Sequence, residues 1–293
     1  MPSWPLIEVA IEPRSASDAD TLDAALSRLV AGDTQLSFTR DKESGHFLIG
    51  GMSEDHLDVA IVRLRDGDGP PVTIGAPQVA YREQLGRAVR IDYVHKRIIG
   101  PKGEFAKVVI DFAPGNAGTG FTFENKAGSA VPSEFVPGVE RGLELARQNG
   151  VRAGFPLIDF TATLVNGAYH DIDSSPRAFQ IAAQGAVREL RENGDVQLAE
   201  PWMTVEVVAP EELIGSIVSD LSSRRGVIQD QTSSGGTATL NAVAPLANMF
   251  GYVNTLSAIS GGRATHTMQF REYRTIPLPD SDPPFPPAIG MRA

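Results

Sequence analysis

The same order of strand and helix patterns occurs at both ends of this chain. Near the N-terminus, residues 6–12 alternate like a strand, and apolar residues then recur at helical spacing from Leu22 to Val30. Two short strand patterns, a second helix pattern at residues 54–64 and a closing strand pattern at residues 72–74 follow. This order, βαββαβ, is typical of a ferredoxin-like sandwich.

The C-terminal part of the chain repeats this order without repeating the sequence. Its strand patterns lie at residues 202–208, 227–231, 237–243 and 264–273, and its helix patterns lie at residues 211–225 and 247–259. We therefore expect a ferredoxin-like domain at each end.

The middle of the chain has a different pattern. Strands are predicted at residues 90–98, 105–112, 121–124 and 157–164, helices at residues 133–148 and 176–191, and two prominent loops at residues 100–104 and 166–175. At 293 residues the chain exceeds what one hydrophobic core usually supports. The sequence thus predicts a mixed α/β class (α+β) with three domains at residues 1–82, 83–199 and 200–275, and an extended proline-rich tail at residues 276–293.

Composition excludes several classes of function. The chain has no cysteine, so it has no disulfide framework, thiolate nucleophile or Cys-ligated zinc. No apolar run approaches the roughly 20 residues that a membrane-spanning helix needs, and the N-terminus lacks a signal-peptide pattern. A cytoplasmic location agrees with these features.

The charge distribution limits how the chain could contact a nucleic acid. The net charge is −10, and the three predicted domains carry −6, −1 and −3 with the tail counted in the last. Half of the 26 basic residues lie in the middle domain. We expect local contact with RNA through one tip and no wrapping of the whole surface around a polyanion.

No nucleotide-binding or metal-binding motif is present in the sequence. A phosphate loop is missing, and Asn125-Lys126-Ala127-Gly128 lacks the aspartate that would read guanine, so the chain should not bind GTP. The five histidines show no metal-ligand spacing. Asp159, Asp171 and Asp173 could form a carboxylate cluster of a hydrolase, but capping of the next helix by the Asp173-Ser174-Ser175 segment is the favoured interpretation.

Four short sequence segments are more informative in their exact residues than in the spacing of those residues. They are Gly75-Ala76-Pro77-Gln78-Val79-Ala80-Tyr81-Arg82-Glu83, Tyr169-His170-Asp171-Ile172-Asp173-Ser174-Ser175, Leu221-Ser222-Ser223-Arg224-Arg225-Gly226 and Ala244-Pro245-Leu246-Ala247-Asn248-Met249-Phe250-Gly251-Tyr252. From about Leu6 to Tyr273 the chain resembles domains III, IV and V of elongation factor G, a translational GTPase. The resemblance implies a ribosomal-protein-like middle domain. The family's GTPase and second domains are missing, so we expect a piece of a longer protein.

The resemblance implies a mechanical role on the ribosome and no catalytic residue in this chain. In the family, the fourth domain enters the decoding site, where His170 would approach the paired mRNA and tRNA, helped by Tyr169 and Asn166. A second tip loop, from Lys96 to Phe105, would lie beside the loop that carries His170. Its basic residues would face RNA phosphates: Lys96, Arg97 and Lys102. In the last domain, Arg224 and Arg225 are candidates for ribosome contact, although both could equally be solvated at a helix C-terminus.

The resemblance also implies the partners and cofactors. The partners are ribosomal RNA, the mRNA–tRNA pair and the missing G and second domains, and GTP and Mg²⁺ would bind only to the missing G domain. A monomer is expected. The predicted turn at Asn166-Gly167 and the helix beginning at Pro176 also favour an apical position for Tyr169 and His170, beside the loop near residue 100.

The sequence departs from the family pattern in several places. The second tip loop reads Lys96-Arg97-Ile98-Ile99-Gly100-Pro101-Lys102-Gly103-Glu104, so polar groups are lost and an acid is gained. An acidic segment follows the second helix, and a proline-rich tail replaces the family's last helix. These departures favour a divergent paralogue, such as a recycling or ribosome-protection factor. A stand-alone RNA-binding module and the hydrolase remain alternatives of other classes.

Overall fold

A computed structural model describes residues 4–40, 47–67, 69–99 and 102–276. The predicted turn at residues 41–45, Gly100 and Pro101 of the second tip loop, and tail residues 277–293 lie outside the described residues. The chain folds into two compact units. The first comprises the chain up to Ala80 together with Glu200–Arg274, and the second comprises Tyr81–Ala199.

The N-terminal part of the first unit has the predicted element order. Its elements are β1 (Ile7–Pro13), α1 (Ala19–Ala31), β2 (Ser37–Arg40), β3 (Phe47–Gly51), α2 (Glu54–Asp66), β4 (Val72–Ile74) and β5 (Gln78–Val79). The strand order is β2-β3-β1-β4, antiparallel throughout, and β5 also pairs with β1. Leu22 and Leu26 of α1 and Leu57 of α2 are fully buried, as expected for amphipathic helices that cover a sheet.

The second unit has helices packed on a mixed sheet. Its elements are β6 (Arg82–Leu85), β7 (Val89–Ile99), β8 (Lys102–Pro114), β9 (Phe121–Asn125), α3 (Val136–Gln148), β10 (Phe160–Ala168), α4 (Pro176–Arg188) and α5 (Leu190–Asn193). The sheet order is β7-β8-β10-β9, with only β9 and β10 parallel among these pairs. Helices α3 and α4 pack closely, because a Cβ at Gly138 or Gly142 would meet main-chain atoms of α4.

Strand β10 differs from its predicted limits. The predicted turn at Asn166-Gly167 is wrong, because the strand continues to Ala168 and pairs Asn166 with Val109 and Gly167 with Val108. The register shifts between Leu164 and Asn166, so a bulge lets β10 follow the long partner strand β8. The strand also begins at Phe160 rather than Leu157, directly after the left-handed residue Asp159.

The C-terminal part of the chain has elements β11 (Val196–Pro210), α6 (Ile214–Ser223), β12 (Val227–Ser234), β13 (Thr237–Pro245), α7 (Tyr252–Ser260) and β14 (Thr265–Ile276). The first residues of β11 pair with β6 in the second unit. In the first unit the strand order is β12-β13-β11-β14, which repeats that of β2-β3-β1-β4. The predicted mixed α/β class with ferredoxin-like strand order at both ends is confirmed. The three domain limits stay predictions.

The predicted helices 211–225, 247–259 and 176–191 are shorter or divided in the structure. A 3-10 turn precedes each of α6 and α7, and the third predicted helix divides into α4 and α5 at Glu189. Across the ranges that the structure describes, no helix is long and apolar enough to cross a membrane.

Candidate nucleic-acid interface

One end of the second unit brings two loops together. The main-chain N–H of Phe105 donates to the main-chain oxygen of Asp173 at 2.9 Å, and the Ser174 hydroxyl donates to the main-chain oxygen of Phe105 at 2.7 Å. A Cβ on Gly103 would lie 2.8 Å from the Asp173 carboxyl group, so glycine permits this approach. The two loops therefore lie side by side, as the sequence predicts. We call residues 96–99, 102–105 and 169–175 the tip.

His170 is held by the loop that carries it. Its N–H donates to the Ser174 hydroxyl at 2.9 Å, and its Nδ1 accepts from the N–H groups of Ile172 and Asp173, both at 3.3 Å. Because Nδ1 acts as an acceptor, the neutral imidazole carries its proton on Nε2. The side chain is 55% exposed. His170 can therefore donate a hydrogen bond from Nε2 to a ligand while the loop N–H groups at Nδ1 hold the orientation of the ring.

The neighbours of His170 have different surroundings. Tyr169 is 44% exposed, and its ring centroid lies 6.2 Å from that of Phe135, which stacks on Phe179 in the core. Asn166 is exposed on β10, where its Oδ1 accepts from the N–H of Gly167 at 2.8 Å. Asn166 therefore lies on the strand that leads to the tip and is not part of the apex.

The predicted helix cap is made by one residue of the Asp173-Ser174-Ser175 segment. The Ser175 hydroxyl accepts from the N–H of Ala178 at 3.1 Å and caps α4. Ser174 instead joins the two loops, and the Asp173 carboxyl group lies beside Gly103 and 3.5 Å from Nδ1 of His170.

Cations towards the base of the β7–β8 hairpin form ion pairs, whereas Lys96 and Arg97 at the tip form none with a described residue. Arg90 pairs with Asp111 at 2.5 Å, a hydrogen bond that lowers the pKa of the Asp111 carboxyl group, and Lys107 pairs with Asp92 at 2.8 Å. Lys96 and Arg97 are exposed and form no ion pair with any described residue. As consecutive strand residues they point to opposite faces.

Lys102, the third predicted cation, begins β8 opposite Ile99. The acid gained in this loop does not neutralise the free cations, because Oε2 of Glu104 lies 3.1 Å from Nε2 of His95. Both of these side chains are mostly buried, so the pair braces the hairpin below the tip.

The tip carries two exposed apolar side chains, of which the sequence marks Ile98 as a departure from the family's polar loop but gives no role to Ile172. Ile98 is 79% exposed and Ile172 is 85% exposed. Ile172 lies between two aspartates in a polar loop. An isolated apolar residue in such a loop was the sequence feature that could have indicated its exposure. Together these side chains add apolar surface beside the free cations and the imidazole.

The hydrolase interpretation is wrong because its carboxylates do not converge. Asp159 lies before the first residue of β10, where its side chain accepts from Gly120 N–H at 2.9 Å and from Gln84 at 3.2 Å. Asp171 and Asp173 lie beyond the other end of this 9-residue strand, which spans about 30 Å. Among the described residues, no group of three or more His, Asp or Glu side chains could hold a metal ion.

The two arginines of the last domain are held by tertiary contacts. Arg224 binds Asp220 at 2.9 Å, the main-chain oxygen of Asn248 at 2.8 Å and the Thr255 hydroxyl at 2.9 Å, and its side chain is only 18% exposed. The solvated alternative is therefore wrong for Arg224, because it joins α6 to α7.

Arg225 has a left-handed backbone conformation with φ of 64°. Its guanidinium binds the buried carboxylate of Glu200 at 2.8 Å, yet about half of its side chain stays exposed. Of the two arginines, Arg225 is thus the better placed to contact a partner.

Comparison with known proteins relates residues 2–282 of the chain, except residue 196, to one family. Three family models match it: Elongation Factor G, domain III, at residues 2–76, Elongation factor G, domain IV, at residues 77–195, and Elongation factor G C-terminus at residues 197–282. A crystal structure of a protein from Thermus thermophilus is similar, with a TM-score of 0.71 and 33% identity, and the match covers 94% of this chain and 42% of that one.

Two curated relatives are named Elongation factor G. The protein of Wolbachia pipientis subsp. Culex pipiens (strain wPip) is 48% identical over 275 residues, a match that covers 93% of this chain and 40% of the relative. The protein of Hyphomonas neptunium (strain ATCC 15444) is 48% identical over 274 residues, a match that covers 93% of this chain and 39% of the relative. The chain spans about two fifths of the length of these relatives. It belongs to the elongation factor G family, of which it contains domain III, domain IV and the C-terminal domain.

Proposed function

We propose that this chain is the ribosome-engaging arm of an elongation-factor-G-like translational GTPase and supports GTP-dependent movement of tRNA and mRNA. The observation that carries the proposal is the tip, where Lys96, Arg97 and His170 lie on a braced end of the second unit and no described acidic residue neutralises the two cations. Such donors suit the sugar-phosphate backbone of paired RNA. Contacts to this backbone position a protein without depending on the base sequence.

In this proposal, GTP hydrolysis and its Mg²⁺ belong to other domains of a longer parent. The chain has no phosphate loop or guanine-reading motif. Its own contribution is mechanical: the first unit transmits movement and the tip contacts RNA in the decoding site. The parent acts as a cytoplasmic monomer that binds the ribosome, and Arg225 contributes a further contact from the C-terminal domain.

The test compares two double variants of the full-length factor that contains this arm. Lys96→Gln/Arg97→Gln removes the free cations of the tip, and Arg141→Gln/Arg188→Gln removes the same charge from exposed helical positions elsewhere in the second unit. We expect the first variant to slow tRNA–mRNA movement about tenfold while ribosome-stimulated GTP hydrolysis stays nearly unchanged. Rapid-mixing kinetics measure both steps. Equal rates in the two variants would refute the proposal.

A recycling or ribosome-protection role is the second candidate. It is favoured by Ile98, which is largely exposed at a tip position where the family usually has a polar residue. A ribosome-splitting assay with the same full-length factor distinguishes the two roles. Splitting without measurable tRNA–mRNA movement would favour recycling, and movement at a normal rate would favour translocation.

A further inference from the structure

A second basic site lies in the second unit, at the end of the hairpin opposite the tip. A cavity of about 580 Å³ is lined by Arg87, Arg152, Arg191, Glu192, Asp195 and Val196. Arg87 precedes β7, whose 11 residues span about 35 Å. The cavity and the tip are therefore separate sites near opposite ends of this strand.

Two of the three guanidinium groups are fixed by neutral acceptors. Arg87 donates from Nε and Nη2 to the main-chain oxygen of Asn193, at 3.1 and 2.9 Å, and Arg152 donates from Nη1 to the main-chain oxygen of Val196 at 2.9 Å. A carbonyl group orients a guanidinium without neutralising its charge, and each arginine keeps further N–H donors. In the same unit, by contrast, Arg147 is neutralised by Glu144.

The loop that carries Arg152 is also fixed. Glu83, only 1% exposed, accepts hydrogen bonds from the N–H groups of Val151 at 2.6 Å, Arg152 at 3.1 Å and Ala153 at 2.7 Å. The main chain at Arg152 is therefore held in place before any ligand arrives, which lowers the entropic cost of binding.

Arg191 on α5 supplies a third, adjustable donor. Its side chain is exposed and forms no ion pair with a described residue. Of the two acids at the cavity, Asp195 accepts from the side chain of Gln197 at 3.1 Å, and Glu192 is exposed at the surface. Three cations against two anions leave the lining with a net positive charge.

We propose that this cavity binds a phosphate group. Guanidinium groups that approach from three separate elements suit the tetrahedral oxygens of phosphate, whereas one arginine fork already matches the two coplanar oxygens of a carboxylate. The volume exceeds that of one phosphate, so the group can be part of a nucleotide or of an RNA strand that passes through the cavity. The site does not depend on the tip and stands whether or not the tip contacts RNA.

The test measures binding by this chain to pyrophosphate and to a short RNA duplex, using calorimetry at low salt. Arg191→Gln removes one donor without disturbing a described structural contact. Arg188→Gln is the matched control, because Arg188 is exposed nearby on α4 and does not line the cavity. We expect Arg191→Gln to weaken binding about tenfold, Arg191→Lys to be intermediate and Arg188→Gln to bind as the parent does.

The two ligands identify the source of the phosphate. Weakening by Arg191→Gln with both ligands supports a site for free phosphates or nucleotides, and weakening with the duplex alone supports an RNA backbone site. The proposal is overturned if neither ligand binds, or if Arg191→Gln and Arg188→Gln have the same affinity.

Discussion

The hydroxyl group of Ser174 donates a 2.7 Å hydrogen bond to the main-chain oxygen of Phe105 and so ties together the two loops of the tip. The same hydroxyl oxygen accepts the N–H of His170 at 2.9 Å. One side chain thus connects the hairpin, the loop after β10 and the main chain at the proposed RNA-contacting histidine.

Ser174→Ala should loosen the tip without unfolding the chain. Both hydrogen bonds are lost, so we expect the free energy of unfolding to fall by about 1–2 kcal/mol and amide exchange to accelerate at residues 170–174. Denaturant unfolding and hydrogen exchange measure these effects. Ser216→Ala, at an exposed position of α6, is the control and should change neither quantity. Unchanged exchange in Ser174→Ala would show that the tie does not order the tip.

Glu83→Gln should be more damaging, although it keeps the shape of the side chain. The buried carboxylate accepts from three consecutive N–H groups, at residues 151–153, and an amide would turn its NH₂ towards at least one of these donors. We expect a loss of about 3 kcal/mol in urea unfolding. Glu134→Gln, at an exposed position, should lose less than about 0.5 kcal/mol. Equal stability of the two variants would contradict this account.

Local pattern was enough to predict the helices and the longer strands, though not the short strands β5 and β6, because apolar spacing within one segment determines which face is buried. The end of β10 was missed because the strand continues only where β8 supplies its partners. The role of Arg224 was missed for the same reason, since Asn248 and Thr255 are distant in sequence. The tip loop at residues 169–175 could be located from its string, but the contact of Ser174 with Phe105 and the arginine-lined cavity depend on residues far apart in the chain.

Tyr252→Phe should leave the first unit as stable as before or more stable. Tyr252 is 1% exposed, its hydroxyl group has no hydrogen-bond partner among the described residues, and burial raises its pKa to about 12. Removing an unsatisfied buried hydroxyl should stabilise the fold by up to about 1 kcal/mol.

Tyr273→Phe gives the contrasting measurement for this prediction. The hydroxyl of Tyr273 donates to the main-chain oxygen of Ala80 at 2.9 Å in a buried position, so its removal should cost about 1 kcal/mol. The melting temperature should therefore fall in Tyr273→Phe, and it should rise or stay unchanged in Tyr252→Phe. A larger loss for Tyr252→Phe would contradict the prediction.

The stability of the first unit should fall as the pH drops below about 6.5. Burial lowers the pKa of His266, and the charge of Asp55 opposes this only in part. Above the unfolded pKa, both states are neutral and the stability is fully present. As the pH falls towards the lower folded pKa, the unfolded chain takes up a proton first, so folding becomes less favourable and the loss then levels off.

His266→Gln should flatten this pH dependence. Melting temperatures compared at about pH 7.5 and about pH 5.5 should differ less in the variant than in the parent chain, because glutamine does not titrate. The variant also loses the edge-on contact with Tyr252, at 5.1 Å between ring centroids, so the difference between the two pH values is the relevant quantity. An equal difference in both proteins would assign the pH dependence to other groups.

His170→Ala should slow tRNA–mRNA movement in the full-length factor while leaving GTP hydrolysis nearly unchanged. The imidazole Nδ1 accepts from two N–H groups of its own loop, which leaves the Nε2 proton for phosphate or ribose. One lost contact costs about 0.5–1.5 kcal/mol, which is up to roughly tenfold in rate if the contact forms only in the transition state.

His170→Asn separates the two roles of this residue. The asparagine oxygen can accept from the same loop N–H groups, as in an Asx turn, but no donor reaches the position of Nε2. If His170 contacts RNA, both variants should move tRNA and mRNA slowly in rapid-mixing kinetics, whereas only His170→Ala should melt earlier. If the histidine merely stabilises its loop, His170→Asn should restore both the melting temperature and the rate of movement, and the RNA contact proposed for this residue would be refuted.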